Sequence, residues 1–122
     1  HQVSITPTAA NSKILVQFSS DCNNNGTGNS LYMTIYRSIN GGTFADIAPN
    51  GGGTNLGFFK NQGHNSRTEI PFAVNYLDSP SYSVGNAIVY KIYIRSGGSG
   101  TVEIPHAGNH NPVVSIAQEI SA

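Results

Sequence analysis

The stretch Ala87-Ile88-Val89-Tyr90-Lys91-Ile92-Tyr93-Ile94-Arg95 decides the fold. Ile88, Tyr90, Ile92 and Ile94 alternate one for one with Val89, Lys91, Tyr93 and Arg95. A period of two puts one row on each side of a β-strand, whereas a helix would scatter both rows around its axis. The alternation recurs on either side of this stretch. In residues 13–19, Ile14, Val16 and Phe18 oppose Leu15 and Gln17, and in residues 31–39, Leu31, Met33 and Ile35 oppose Tyr32, Thr34 and Tyr36. Residues 68–77 read as a further strand in which Pro71, bringing no N–H to a ladder, points to an edge or a bulge. Residues 3–5, 101–104 and 113–120 complete the set.

Clusters of Gly, Asn, Ser and Pro separate these segments. Residues 23–29 read as a turn and residues 96–100 as a hairpin connection. Residues 40–66 are long and glycine-rich, yet Phe44, Ile47, Leu56, Phe58 and Phe59 predict a short strand within them. Neither a helical period nor an internal repeat is visible. A chain of 122 residues with this pattern makes one domain, residues 1–122: an all-β, antiparallel β-sandwich of jelly-roll-like character. Since His1 is not a start methionine, we expect a fragment, processed product or excised domain, the C-terminal part of a longer chain.

Hydrophobic residues make up 38% of the chain and charged residues only 10%, so much of the surface is neutral and polar, which suits hydrogen bonding to sugars. The formal net charge is zero, and Lys13, Arg37, Lys60, Arg67, Lys91 and Arg95 are scattered singly along the chain. A clustered basic footprint is missing, so neither nucleic acid nor an anionic membrane surface is an expected partner. No apolar run reaches membrane length, and no membrane insertion is expected. Cys22, the one cysteine, excludes an intrachain disulfide. In the polar stretch Ser20-Asp21-Cys22-Asn23-Asn24-Asn25-Gly26 it reads as a loop or strand-end residue with no basic neighbour to activate it.

Catalytic equipment is not recognisable. No Gly-x-Ser-x-Gly elbow occurs, and the six acids are dispersed, with Asp78, Glu103 and Glu119 the ones in or beside expected strands. Scattered acids read as solvated or turn-capping side chains and not as the facing pair a glycosidase needs. His106 and His110, in Pro105-His106-Ala107-Gly108-Asn109-His110-Asn111-Pro112, are weak metal candidates, able to ligate across a symmetry axis. Without a carboxylate or cysteine cluster beside them, the plainer reading is polar loop residues, and no cofactor is expected. Tyr32 and Tyr36 share a strand face, as do Lys91, Tyr93 and Arg95. Such rings either stack on sugars or cover the core with the hydroxyl left wet.

Three segments taken together resemble the C-terminal head, the receptor-binding tip, of bacteriophage tail fibres and related virion fibre proteins. They are Ser4-Ile5-Thr6-Pro7-Thr8-Ala9-Ala10-Asn11-Ser12-Lys13-Ile14-Leu15-Val16, then Ser30-Leu31-Tyr32-Met33-Thr34-Ile35-Tyr36-Arg37, then Tyr76-Leu77-Asp78-Ser79-Pro80 with Val89-Tyr90-Lys91-Ile92-Tyr93-Ile94-Arg95-Ser96 and the closing Ser115-Ile116-Ala117-Gln118-Glu119-Ile120. The resemblance implies a non-enzymatic β-sandwich that forms a homotrimer at the tip of a virion fibre, exposed to the extracellular medium. Its implied partners are itself, the rest of the fibre, and a glycan or protein of the host-cell surface. A trimer would bury second-face residues such as Leu15, Val89, Val114 and Ile116. The family shares no single receptor site, so distal loops and exposed aromatics supply the receptor-binding candidates: Asn24, Asn25, Asn29, Asn55, Phe59, Asn61, His64, Tyr32 and Tyr36. Asp78 is expected to cap a turn. The competing readings are a structural capsid, neck or baseplate fibre or trimerisation module without a receptor, a monomeric carbohydrate-binding module attached to an enzyme, and a small hydrolase in which two acids meet.

Overall fold

A strand with one apolar row is stable only when that row faces a second apolar layer. The computed structural model, which describes residues 1–48, 57–63, 68–105 and 112–121, meets this requirement with two packed antiparallel sheets, a β-sandwich. The strands are β1 (Gln2–Ile5), β2 (Lys13–Asn25), β3 (Ser30–Ile39), β4 (Ala45–Asp46), β5 (Phe59–Gln62), β6 (Thr68–Asp78), β7 (Ile88–Ser96), β8 (Thr101–Glu103) and β9 (Val114–Ile120). The first sheet runs β1-β7-β3, with β4 and β5 on the free edge of β3. In the second, β2 lies between β6 on one edge and β8 and β9 on the other. The chain crosses between sheets at β1–β2, β2–β3, β5–β6, β6–β7 and β7–β8, which is the jelly-roll-like aspect of the path.

The faces follow the alternation. Ile14, Val16 and Phe18 of β2, Leu31, Met33 and Ile35 of β3, Phe72 and Val74 of β6, and Ile88 and Tyr90 of β7 form the core. Each contributes about 1.5–3 kcal/mol by leaving water. Pro71 sits on β6, which among the described residues pairs only with β2, so the missing N–H faces an open edge. Residues 40–66 contain β4 and β5; Leu56 lies outside the described residues.

Several expectations are corrected. β2 does not end at residue 19 but continues to Asn25, and Cys22 is a fully buried core residue in its interior. Burial, with the charge of Asp21 adding to it, pushes the Cys22 thiol up to about 11. Residues 96–100 do not close a hairpin, because β7 and β8 belong to different sheets. All six acids lie in strands: Asp21, Asp46, Glu69, Asp78, Glu103 and Glu119.

Asp78 is not a turn cap either. It continues the inward row of β6 after Phe72, Val74 and Tyr76, and so enters the sandwich. There Arg37 Nη1 donates to Oδ1 at 2.8 Å and Oδ2 at 2.7 Å, and the Tyr90 hydroxyl donates to Oδ2 at 2.8 Å. One carboxylate of the second sheet thus holds two strands of the first. Burial, followed by the adjacent Asp78 charge, drives the Tyr90 hydroxyl pKa upward, so it stays a donor. At the opposite margin Glu119 grips the β1–β2 loop. Its carboxylate accepts from the Thr8 amide at 2.9 Å, the Thr8 hydroxyl at 3.0 Å and the Ala9 amide at 3.0 Å. These bonds, the Thr8 amide foremost, hold the carboxyl down at about 2.

Replacing Asp78 by Ala leaves Arg37 and Tyr90 without their acceptor, and we predict a loss of about 3 kcal/mol in urea unfolding, against about 1.5 kcal/mol for Tyr90→Phe. Glu119 gives a second, pH-dependent prediction. Its folded pKa lies below its unfolded value of 4.5, so its contribution is present above that pH and is lost as pH falls towards about 2. Thermal melts between these limits should show that loss, and Glu119→Gln should flatten this part of the profile.

Candidate functional site

With Ile88, Tyr90, Ile92 and Ile94 turned inward, the alternate residues of β7 face outward, and the β3–β7 register sets them beside the outer residues of β3. Tyr32 stands opposite Arg95, Thr34 opposite Tyr93, and Tyr36 opposite Lys91. From β5, Lys60 stands opposite Tyr32. The guanidinium of Arg95 lies 4.5 Å from the centre of the Tyr32 ring and the Lys60 ammonium 5.5 Å from it. The Lys91 ammonium lies 4.4 Å from the centre of Phe44. Between these two poles the Tyr36 and Tyr93 rings pack at 4.4 Å, tilted by 44°. One acid, Asp46, stands beside Tyr36; it accepts from the Thr34 hydroxyl at 2.6 Å and the Ala48 amide at 2.9 Å. A face bearing three cations and four aromatic rings results.

At one end of the sandwich lies a neutral, polar cleft of about 450 Å³, lined by Asn25, Gly26, Thr27, Ser99 and Thr101 among others. Its floor is an asparagine network. Asn24 Nδ2 donates to the Asn29 carbonyl at 3.0 Å and to Asn61 Oδ1 at 3.3 Å, while Asn29 Nδ2 donates to Asn24 Oδ1 at 2.8 Å. Ser96 Oγ donates to Asn29 Oδ1 at 2.8 Å, tying in the end of β7. A Cβ on Gly100 would strike the Asn25 carbonyl and the Asn29 amide, so the wall of the cleft requires glycine there.

The outer face of the second sheet has a different character. Leu77, Val114, Ile116 and Ile120 are each exposed by more than a third of their surface, and half-buried Leu15 lies among them, paired with Leu77. Towards the other end of the same face the register lines up Glu69, Asn23 and Glu103, with Asn23 Nδ2 donating to Glu103 Oε2 at 3.3 Å. Among the described residues no group of three His, Cys, Asp or Glu side chains is arranged to hold a metal.

The receptor-binding candidates read from sequence therefore divide. Tyr32 and Tyr36 come together on the outer face of the first sheet, and Asn25 is exposed at the cleft. Asn24 and Asn29 are buried and with Asn61 hold the chain end together; Asn29 also lines the cleft, whereas Asn24 shapes it from beneath. Phe59 turns inward, its ring 6.1 Å from Phe72, because it stands opposite the core residue Met33. Asn55, His64, His106 and His110 lie outside the described residues. Of the suggested trimer-facing set, Leu15, Val114 and Ile116 share one face, but Val89 belongs to the other sheet. The face also gathers Phe44, Lys60, Lys91, Tyr93 and Arg95, none of them among the sequence candidates. The period of two had placed three of these on one side of β7; the pairing of β7 with β3 brings them to Tyr32 and Tyr36.

No family model, curated protein or solved structure matches this chain.

Proposed function

We propose that the chain is a non-enzymatic head domain of a virion fibre, a homotrimer that attaches to a glycan or protein of the host-cell surface. The observation that supports it best is the contrast between the two outer faces of the sandwich. One carries exposed Leu77, Val114, Ile116 and Ile120, apolar side chains that contact with a second copy would take out of water. The other carries tyrosines and cations set on a rigid sheet, a composition suited to recognition. An assembly that buries the first face and displays the second uses both. The sequence resemblance to fibre heads supplies the three-fold symmetry and the virion setting in this reading.

Light scattering on a sizing column tests the assembly. The expected mass is that of three chains, and Ile116→Lys, which sets a charge in the buried face, should give a folded monomer. A wild-type chain of single mass would instead favour a monomeric carbohydrate-binding module, since the aromatic face needs no second subunit.

A further inference from the structure

The cations of the first sheet's outer face are held in place before any ligand arrives. Lysine and arginine side chains ordinarily give up rotamer freedom on binding, at about 0.5–1.5 kcal/mol for each one immobilised. Here Arg95 and Lys60 lie against the Tyr32 ring and Lys91 against Phe44, so part of that ordering is already made in the free protein. Tyr93, by contrast, is 45% exposed and packs against Tyr36, which leaves it as the platform between the two positive poles. Lys91 and Arg95 are four residues apart on one strand, a separation of about 13 Å at the rise of a β-strand. A ligand that reaches both poles must carry negative charge at two separated points and a flat apolar surface between them, which is more than a single sugar ring offers.

We propose that the outer face of the β1-β7-β3 sheet binds an acidic oligosaccharide, its charged groups on Lys91 and on the Lys60–Arg95 pair and a sugar ring stacked on Tyr93. The proposal rests on the reading of the domain as an attachment head and gives that head a ligand class. Charge complementarity carries it. Three of the six Lys and Arg residues gather on this face against the single acid Asp46, although the chain as a whole is neutral. A nucleic-acid strand fits less well, because it rewards a series of open stacking platforms and an unbroken basic track. This face has one open platform and a carboxylate at its margin. The amide of Gln2, whose β1 position stands opposite Lys91, adds a neutral polar group of the kind that sugar hydroxyls need.

Calorimetric titration of the intact chain decides the matter, using oligogalacturonate as a carboxylated probe, a heparin oligosaccharide as a sulfated one, and dextran and a short oligothymidylate for comparison. At least one acidic oligosaccharide is expected to bind, with an affinity that falls as salt is raised. Tyr93→Ala and Lys91→Gln, both surface changes, should each weaken it about tenfold with unchanged thermal melts. Lys13→Gln removes the same charge from the opposite sheet and should leave the affinity as it was. Failure of both acidic probes to bind, equal binding of dextran, preference for oligothymidylate, or indifference to Tyr93→Ala would each overturn the proposal. Attachment to host cells that survives Lys91→Gln and Arg95→Gln together would also overturn it while leaving the attachment reading intact. The solution mass tests that reading separately.

Discussion

The rest of the sandwich depends on β2, a strand that is both long and half polar. It pairs with β6 from Ile14↔Asp78 to Asn24↔Thr68, and its other edge takes β9 along Lys13–Ser19 and β8 along Asn23–Asn25. Without it the second sheet has no common member. Its inward row begins with Ile14, Val16 and Phe18 and ends with Cys22 and Asn24. An amide at such a position costs about 1–3 kcal/mol if left unpaired. The bonds of Asn24 to Asn29 and Asn61 offset that cost, and in doing so fasten the β2–β3 turn and β5 to the same point. The end of the core is thus closed by hydrogen bonds where a larger protein would close it with apolar side chains, and the cleft above inherits a rigid floor.

How much of this could be read from sequence depends on the range of the signal. The period of two is local, and it assigned Ile14, Val16, Phe18, Leu31, Met33, Ile35, Ile88 and Tyr90 to the core side. Pro71 was likewise readable, since a missing N–H constrains its own strand. The polar half of β2 was not, because Asp21 to Asn25 has the composition of a turn and its extended form is imposed by β6 alongside. Asp78 misled for a related reason. Beside Ser79-Pro80 it has the local signature of a turn cap, and only the inward phase of β6 together with Arg37 across the sandwich makes it an inter-sheet tie. Strand partners are the long-range information the alternation does not hold, and they are what turns separate tyrosines into a face.

Charge makes the same point at the scale of the molecule. Along the sequence six cations and six acids look interspersed. Folding sorts them. Lys60, Lys91 and Arg95 reach the outer face of the first sheet, whereas Asp21, Glu69 and Glu103 reach that of the second. A formal charge of zero therefore hides a basic cluster on one outer face, a sandwich roughly 10 Å thick away from Asp21, Glu69 and Glu103. At physiological salt the Debye length is about 8 Å, so each face acts on an approaching ligand largely by itself.

That separation gives the proposed assembly a consequence for binding strength. If three copies meet through the apolar face of the second sheet, the basic aromatic face of each necessarily points away from the axis, since the two faces lie on opposite sides of one rigid sandwich. Contacts between a protein face and a sugar chain are individually weak, because a solvated ligand gives up water almost as good as the bonds it gains. Three such faces held in one body turn the second and third contacts into intramolecular events, and avidity can then exceed the single affinity by about 10²–10⁴ without any new contact. A surface that repeats its acidic groups rewards this arrangement, and a single soluble sugar does not. Modest affinity at each site combined with rigid repetition is what the proposed trimer would supply.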